Sequence, residues 1–230
     1  MIAQAGSQSA ATSKIFGNLS APVVQALDAV SITTNYPTGA VLFVEAENAR
    51  GMYAIRRGRV KLSVSTRDGK VLILRIAEAG ELLGVASVVL GRGYEATAEI
   101  LEPCEITFIR QSDLLRVMRQ SGELTLWMAQ TLSRDYDSTC REIRNLMLSE
   151  SAGERLARLL VDRLDHQSST SKPGEMKLTL THEEIGQMIG TSRETVTRLF
   201  AGLKKRHLIQ QNGSTVVVPN RMALEAMITG

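Results

Sequence analysis

Apolar positions change their spacing several times along the chain, and each change predicts a different kind of element. In IFGNLSAPVVQALDAV, Val23, Val24, Leu27 and Val30 share one helical face, with Ser20 placed to cap and Pro22 at an early helical position. From about Thr33 to Arg110 the period drops to two: VLFVEA, GMYAIRRG, RVKLSVST, KVLILRIA, ATAEIL and CEITFIR read as strands, with Arg67-Asp68-Gly69-Lys70 as a hairpin turn. Short strands at this spacing predict a small sandwich or barrel. SDLLRVMR returns to a helix capped by Ser112. Past Gly122 the longest helical pattern runs to about Leu148 on the stripe Leu124, Met128, Leu132, Tyr136, Thr139, Ile143 and Leu146. ERLARLLVDRLDHQ gives a further amphipathic helix on Leu156, Leu159, Leu160 and Leu164. MKLTL follows as a strand, and HLIQQNGSTVVVPN as a hairpin turning at Asn212-Gly213. RMALEAMI closes the pattern as a helix.

Between that last strand and the hairpin sits LTHEEIGQMIGTSRETVTRLFAGLKKR, two short helical patterns back to back. Thr181 caps the first, with Glu184 three residues on as in a capping box. Ile185, Met188 and Ile189 form its buried face, and Gly190 ends it. Ser192 caps the second, whose buried set is Val196, Leu199, Phe200 and Leu203. Arg193, Glu194, Thr197 and Arg198 then share the wet face. Two helices joined by a tight turn around a glycine form a helix-turn-helix, whose second helix enters a DNA major groove. Arginine can fork onto guanine and glutamate can accept from cytosine. A merely solvated charged face is the alternative reading of the spacing alone.

Composition adds little until it is made local. The 230 residues carry a formal charge of only +3, yet Arg193 to His207 holds five Lys/Arg against the single acid Glu194, the stripe a phosphate backbone favours. Two cysteines, Cys104 and Cys140, exclude a disulfide scaffold, a cysteine zinc site and a four-cysteine iron-sulfur cluster by ligand count. No apolar run approaches the length of a membrane span and no leader pattern opens the chain, so a reducing cytoplasm and no membrane association are expected.

The segment IGQMIGTSRETVTRLFAGLKKRHLI closely resembles the DNA-binding domain of the Crp/Fnr family of bacterial transcription regulators, and Gly39, Gly58 and Gly80 resemble the glycine positions of that family's cyclic-nucleotide-binding β-roll. The resemblance implies an α+β chain: an N-terminal antiparallel β-roll, a long dimerisation helix and a C-terminal winged helix-turn-helix. The expected division is a disordered tail at 1–14, sensor at 15–120, dimerisation helix and hinge at 121–149, and DNA-binding domain at 150–230. By resemblance Arg193, Glu194 and Arg198 read bases in a TGTGA-like half-site, while Thr181, Ser192, Thr197, Lys204 and Lys205 meet the DNA backbone. Met128, Leu132, Tyr136, Thr139, Ile143 and Leu146 are the implied seam of a homodimer, packing of that stripe on the chain's own β-roll being the alternative. RNA polymerase is the further partner expected of an activator.

The same resemblance places an effector pocket at Gly80, Glu81, Gly84, Val85, Ala96, Thr97, Thr139 and Cys140. Laid on the pattern of cyclic AMP binders, the ribose-holding Glu falls at Val85 and the phosphate-holding Arg at Ala96, so tight cyclic AMP binding is not expected. Arg92 on the same loop is a possible substitute, and Thr139 fits a plain seam residue equally well. No cofactor is implied with certainty; the effector is an unidentified small molecule, or the β-roll is purely structural. His166, His182 and His207 all lie in the last third, which argues against a β-roll haem ligand and against a metal-dependent barrel enzyme. No catalytic or metal-ligating residue is expected. Cys104 reads as a buried small hydrophobe or as a redox target.

Overall fold

The computed structural model describes residues 15–148, 151–165 and 174–228; within these, the side chains of 141, 142 and 144–148 are not described. The expected tail at 1–14 and most of the SSTSKPGE loop lie outside the described residues. Two compact units divide the chain, residues 1–137 and 138–230.

In the first unit, helix α1 (Ala21–Asp28) buries Val23 and Leu27. Eight strands follow, β1 (Ser31–Tyr36), β2 (Val41–Phe43), β3 (Gly51–Arg57), β4 (Arg59–Ser65), β5 (Val71–Glu78), β6 (Leu82–Leu83), β7 (Thr97–Ile100) and β8 (Cys104–Arg110). They form two antiparallel sheets ordered β1-β8-β3-β6 and β2-β7-β4-β5. Because the chain switches sheets repeatedly, the alternating apolar residues of both converge: Met52, Ala54 and Ile55 from β3, Val60 and Leu62 from β4, and Ile106 and Ile109 from β8 share one core. The pairing Met52↔Ile109 and Ala54↔Thr107 keeps those side chains on the inner face. The hairpin after β4 turns as expected, with Gly69 at φ +80°.

Gly39, Gly58 and Gly80 all adopt positive φ. At Gly58 the constraint is doubled, since a Cβ there would collide with the Cys104 sulfur. Cys104 is 1 % exposed, and burial pushes its thiol pKa up; it packs as a small hydrophobe.

Several details differ from the sequence expectation. Helix α2 (Val85–Leu90) and the short β6 lie where no element was predicted. Ser20 occupies the N-cap position of α1 without capping it; its hydroxyl and N–H go instead to the Glu123 carboxylate. Helix α3 (Gln111–Gln120) starts one residue before Ser112 and takes Arg110 as its N-cap. In helix α4 (Gly122–Leu148), Leu124 and Met128 are buried in the β-roll core and Leu132 packs against it.

The second unit begins within α4. Helix α5 (Ala152–Asp165) buries Leu156, Ala157, Leu160 and Val161, so Ala157 and Val161 take the places expected for Leu159 and Leu164. A three-stranded sheet ordered β10-β11-β9 joins β9 (Glu175–Lys177), β10 (Gln210–Asn212) and β11 (Thr215–Val217). Asn212 pairs with Thr215, so the turn residues are Gly213 and Ser214, one position later than predicted, with Gly213 at φ +58°. Between β9 and β10 lie α6 (His182–Ile189) and α7 (Arg193–Lys205), and α8 (Arg221–Glu225) closes the unit. Arg221 fixes that end through Asp165 at 3.0 Å and Glu225 at 2.6 Å. Among the described residues, no helix is long and apolar enough to cross a membrane.

Candidate nucleic-acid interface

Caps set where the two central helices begin, and so which residues their first turns present. The Thr181 hydroxyl accepts from the Glu184 N–H at 3.1 Å while the Glu184 carboxylate accepts from the Thr181 N–H at 2.8 Å, a complete capping box. Gly190 ends α6 in the left-handed region at φ +65°. Gly186 is buried beside Ile185 and Ile189, where a Cβ would lie 2.7 Å from the Thr191 carbonyl oxygen; Met188, expected inside, is only half-buried. Ser192 then accepts from the Thr195 N–H at 3.2 Å and starts α7 at Arg193.

With Val196, Phe200 and Leu203 buried, Arg193, Glu194, Thr197 and Arg198 are all exposed, as are Lys204 and Lys205 at the far end. None of these four cations joins an ion pair among the described residues. Among the described residues Arg198 donates only to the Thr195 hydroxyl, at 3.2 Å. The Glu194 carboxyl is held below its usual pKa, first by its own backbone N–H at the helix start, then by Ser192, with Arg193 and Arg198 contributing less. A capped N-terminal turn therefore presents two forks and one ionised acceptor, the donor and acceptor set that distinguishes base edges in a major groove.

His182, directly after the capping Thr181, belongs to this surface too. Its ring stacks on Phe200 at 4.8 Å between centroids, and Nδ1 lies 2.9 Å from the Thr197 hydroxyl oxygen. Burial, then Lys204 and Arg193, holds its pKa below the usual imidazole value. Only the folded pairing of α6 with α7 makes that contact visible.

The residues expected to form an effector pocket are differently placed. Glu81 accepts from the Glu78 N–H at 2.8 Å and is ion-paired with Arg75. Gly84, at φ +74°, sits at the start of α2. Val85 and Ala96 are 3 % and 1 % exposed within the apolar core. Ala96, laid at the position of the phosphate-holding Arg, faces the core, while the neighbouring Glu95 is exposed and accepts from the Ser87 hydroxyl. Thr97 is occupied by the Glu45 N–H at 3.0 Å. Arg92 lines an open depression of about 400 Å³ with Glu45, Ala46, Gly93, Tyr94 and Glu95. Thr139, exposed, and Cys140, half-buried, belong to the second unit.

The expected seam splits in two. Met128, 1 % exposed, is part of the β-roll core rather than of an open seam. Tyr136 at 70 % and Ile143 at 51 % remain exposed, and Leu126 at 61 % joins them. The Leu146 side chain lies outside the described residues.

Two family descriptions match the chain: a cyclic nucleotide-binding domain over residues 33–121 and a Crp-like helix-turn-helix domain over residues 154–227. The cAMP-activated global transcriptional regulator CRP of Pasteurella multocida is 31 % identical over 184 residues, covering 80 % of this chain and 88 % of that protein. Two solved structures share the fold at a TM-score of 0.76. FixK2 from Bradyrhizobium japonicum is 21 % identical, with 86 % of this chain and 97 % of that one covered. The c-di-GMP responsive global regulator CLP of Xanthomonas campestris is 23 % identical, with 87 % and 100 % covered.

Proposed function

The chain belongs to the Crp/Fnr family of DNA-binding transcription regulators, and from that premise we propose that it is a homodimeric, non-enzymatic cytoplasmic regulator that reads a palindromic TGTGA-like operator and is switched by something other than cyclic AMP. The observation that carries the DNA reading is the exposed trio Arg193, Glu194 and Arg198 on a capped helix, with no carboxylate paired to either arginine among the described residues. In a two-fold dimer, two such helices enter successive major grooves about 34 Å apart, which favours TGTGA-N6-TCACA. Thr181, Ser192, Thr197, Lys204 and Lys205 surround the trio and meet phosphates. Exposed Tyr136 and Ile143, seven residues apart on one face of α4, support the dimer, since an exposed apolar face on a long helix needs a cover. RNA polymerase is the partner when the protein activates.

The Pasteurella relative is cAMP-activated; this chain departs from that chemistry inside the β-roll. Val85 and Ala96 offer no charge, Arg75 is already neutralised by Glu81, and Glu95 adds a like charge to any phosphate. A charge-assisted arginine contact is worth about 1.5–3 kcal/mol, so its absence, with the Glu95 carboxylate alongside, disfavours the anion strongly. Arg92 as a substitute phosphate contact is opposed by Glu45 and Glu95 in the same depression. Gel shift with the palindromic and a scrambled duplex, each with and without cyclic AMP, tests the reading. Discrimination between duplexes that ignores cyclic AMP is expected; equal binding of both refutes the base reading, and strict dependence on cyclic AMP refutes the effector assignment.

A further inference from the structure

His182 is the first residue of α6, and its hydrogen bonding fixes its tautomer. The Thr197 hydroxyl has a single proton, which it donates to the Arg193 carbonyl one turn back at 3.0 Å. Toward His182 Nδ1, 2.9 Å away, the same oxygen therefore accepts. The neutral ring must carry its proton on Nδ1, leaving Nε2 as a bare lone pair. No hydrogen bond to Nε2 exists among the described residues.

The ring is held at two points, stacked on Phe200 and tied to Thr197, which keeps it beside the exposed surface of α7 that carries Arg193 and Thr197. Around it, α7 supplies Arg193 and Lys204, and α6 supplies Glu183 and Glu184, the latter held in the Thr181 capping box. Partial burial, then the two cations, lowers the ring's pKa and so favours its neutral form in the free protein. A phosphate oxygen brought to this surface offers only lone pairs, and two lone pairs repel. Protonation of Nε2 converts that repulsion into a charge-assisted hydrogen bond.

Resting on the reading of α7 as the DNA-reading helix, we propose that His182 couples DNA binding to proton uptake, its neutral ring taking one proton from solvent and donating Nε2–H to a phosphate oxygen. The phosphate raises the ring's pKa in the complex above its value in the free protein. Affinity then rises as pH falls between those two values, by at most about tenfold per pH unit for each reading helix. A phosphate contact is blind to sequence, so palindromic and scrambled duplexes share the slope.

The test uses the full chain and both duplexes at constant salt, with fluorescence anisotropy from about pH 6 to 8.5 and calorimetry in two buffers of different ionisation heat. Tighter binding on acidification is expected for both duplexes, with net proton absorption. His182→Gln removes both effects, His182→Arg binds with a flat profile and more tightly than wild type at the alkaline end, and His207→Gln leaves the slope intact. The imidazole resonances of His182 in the unmutated protein shift toward the protonated form when duplex is added. A slope that survives in His182→Gln, a flat native profile, or affinity that falls on acidification overturns the proposal; the last outcome makes Nε2 an acceptor from a base amino group. If neither duplex binds at any pH, the DNA reading falls and the proton coupling with it.

Discussion

The turn that opens α2 in the β-roll and the turn that opens α7 in the winged unit are both short entries into a helix from a bend, yet they handle charge in opposite ways. Around α2, Arg75 is paired with Glu81, Ser87 with Glu95, and Thr97 with the backbone of Glu45. Around α7, Arg193, Arg198, Lys204 and Lys205 face water without an ionic partner among the described residues. A charge neutralised within its own chain has little left to offer a ligand. A row of exposed cations instead sets up a field that a polyanion meets at long range. The difference separates a region that holds its own shape from one that is complete only with a partner.

The comparison is tested most severely by asking whether the winged unit divides cleanly into residues that hold and residues that read. Phe200 is 1 % exposed and supports the His182 ring, so Phe200→Ala is expected to cost about 3–5 kcal/mol of stability, measured by urea unfolding, with DNA binding lost as a consequence. Arg193→Ala and Arg198→Ala are expected to do the reverse. Unfolding free energy stays within about 0.5 kcal/mol, while discrimination between palindromic and scrambled duplexes falls by about 1–3 kcal/mol. An arginine substitution that destabilises the protein as Phe200→Ala does would erase the division.

The same contrast governs what could be read from the amino-acid order. Caps, glycine stops and helical spacing act within a few residues, so Thr181, Gly190, Ser192 and the wet face of α7 were legible before folding. The β-roll chemistry depends on pairs far apart in sequence. Ser20 bonds to Glu123 rather than capping its own helix, and Cys104 packs against Gly58. There α2 escaped notice because VASVVL carries no polar periodicity. Met128 misled for a related reason: stripe spacing reports that a face is covered and does not say by what. His182 combined both limits, lying in a legible motif while its role depends on Thr197 fifteen residues on.

Helix starts give the next effect in size. Thr181→Ala removes one half of the capping box and is expected to lower stability by about 1 kcal/mol, seen as a reduced urea midpoint with an unchanged slope. Because α6 carries His182 and meets α7, DNA affinity should fall with little change in discrimination between duplexes. A selective loss for the palindrome would place Thr181 among the base-reading residues instead.

The smallest expected effect belongs to the β-roll and probes whether its internal pairing matters energetically or only geometrically. Glu123, fully exposed, accepts from the Ser20 hydroxyl and, at 2.6 Å, from the Ser20 N–H, and those two donors hold its pKa below the usual 4.5. A carboxyl whose pKa is depressed by folding contributes stability that is present above the unfolded value and disappears as pH falls through the folded one. Thermal melts of wild type and Glu123→Gln should therefore differ slightly above about pH 4.5, with wild type the higher, and converge in more acidic solution. Water competes for every acceptor of an exposed carboxylate, which keeps the difference small. Melts that coincide at every pH would mean that this tie positions α1 against α4 without stabilising either, and that the neutralised charges of the β-roll differ from the open charges of α7 in availability alone.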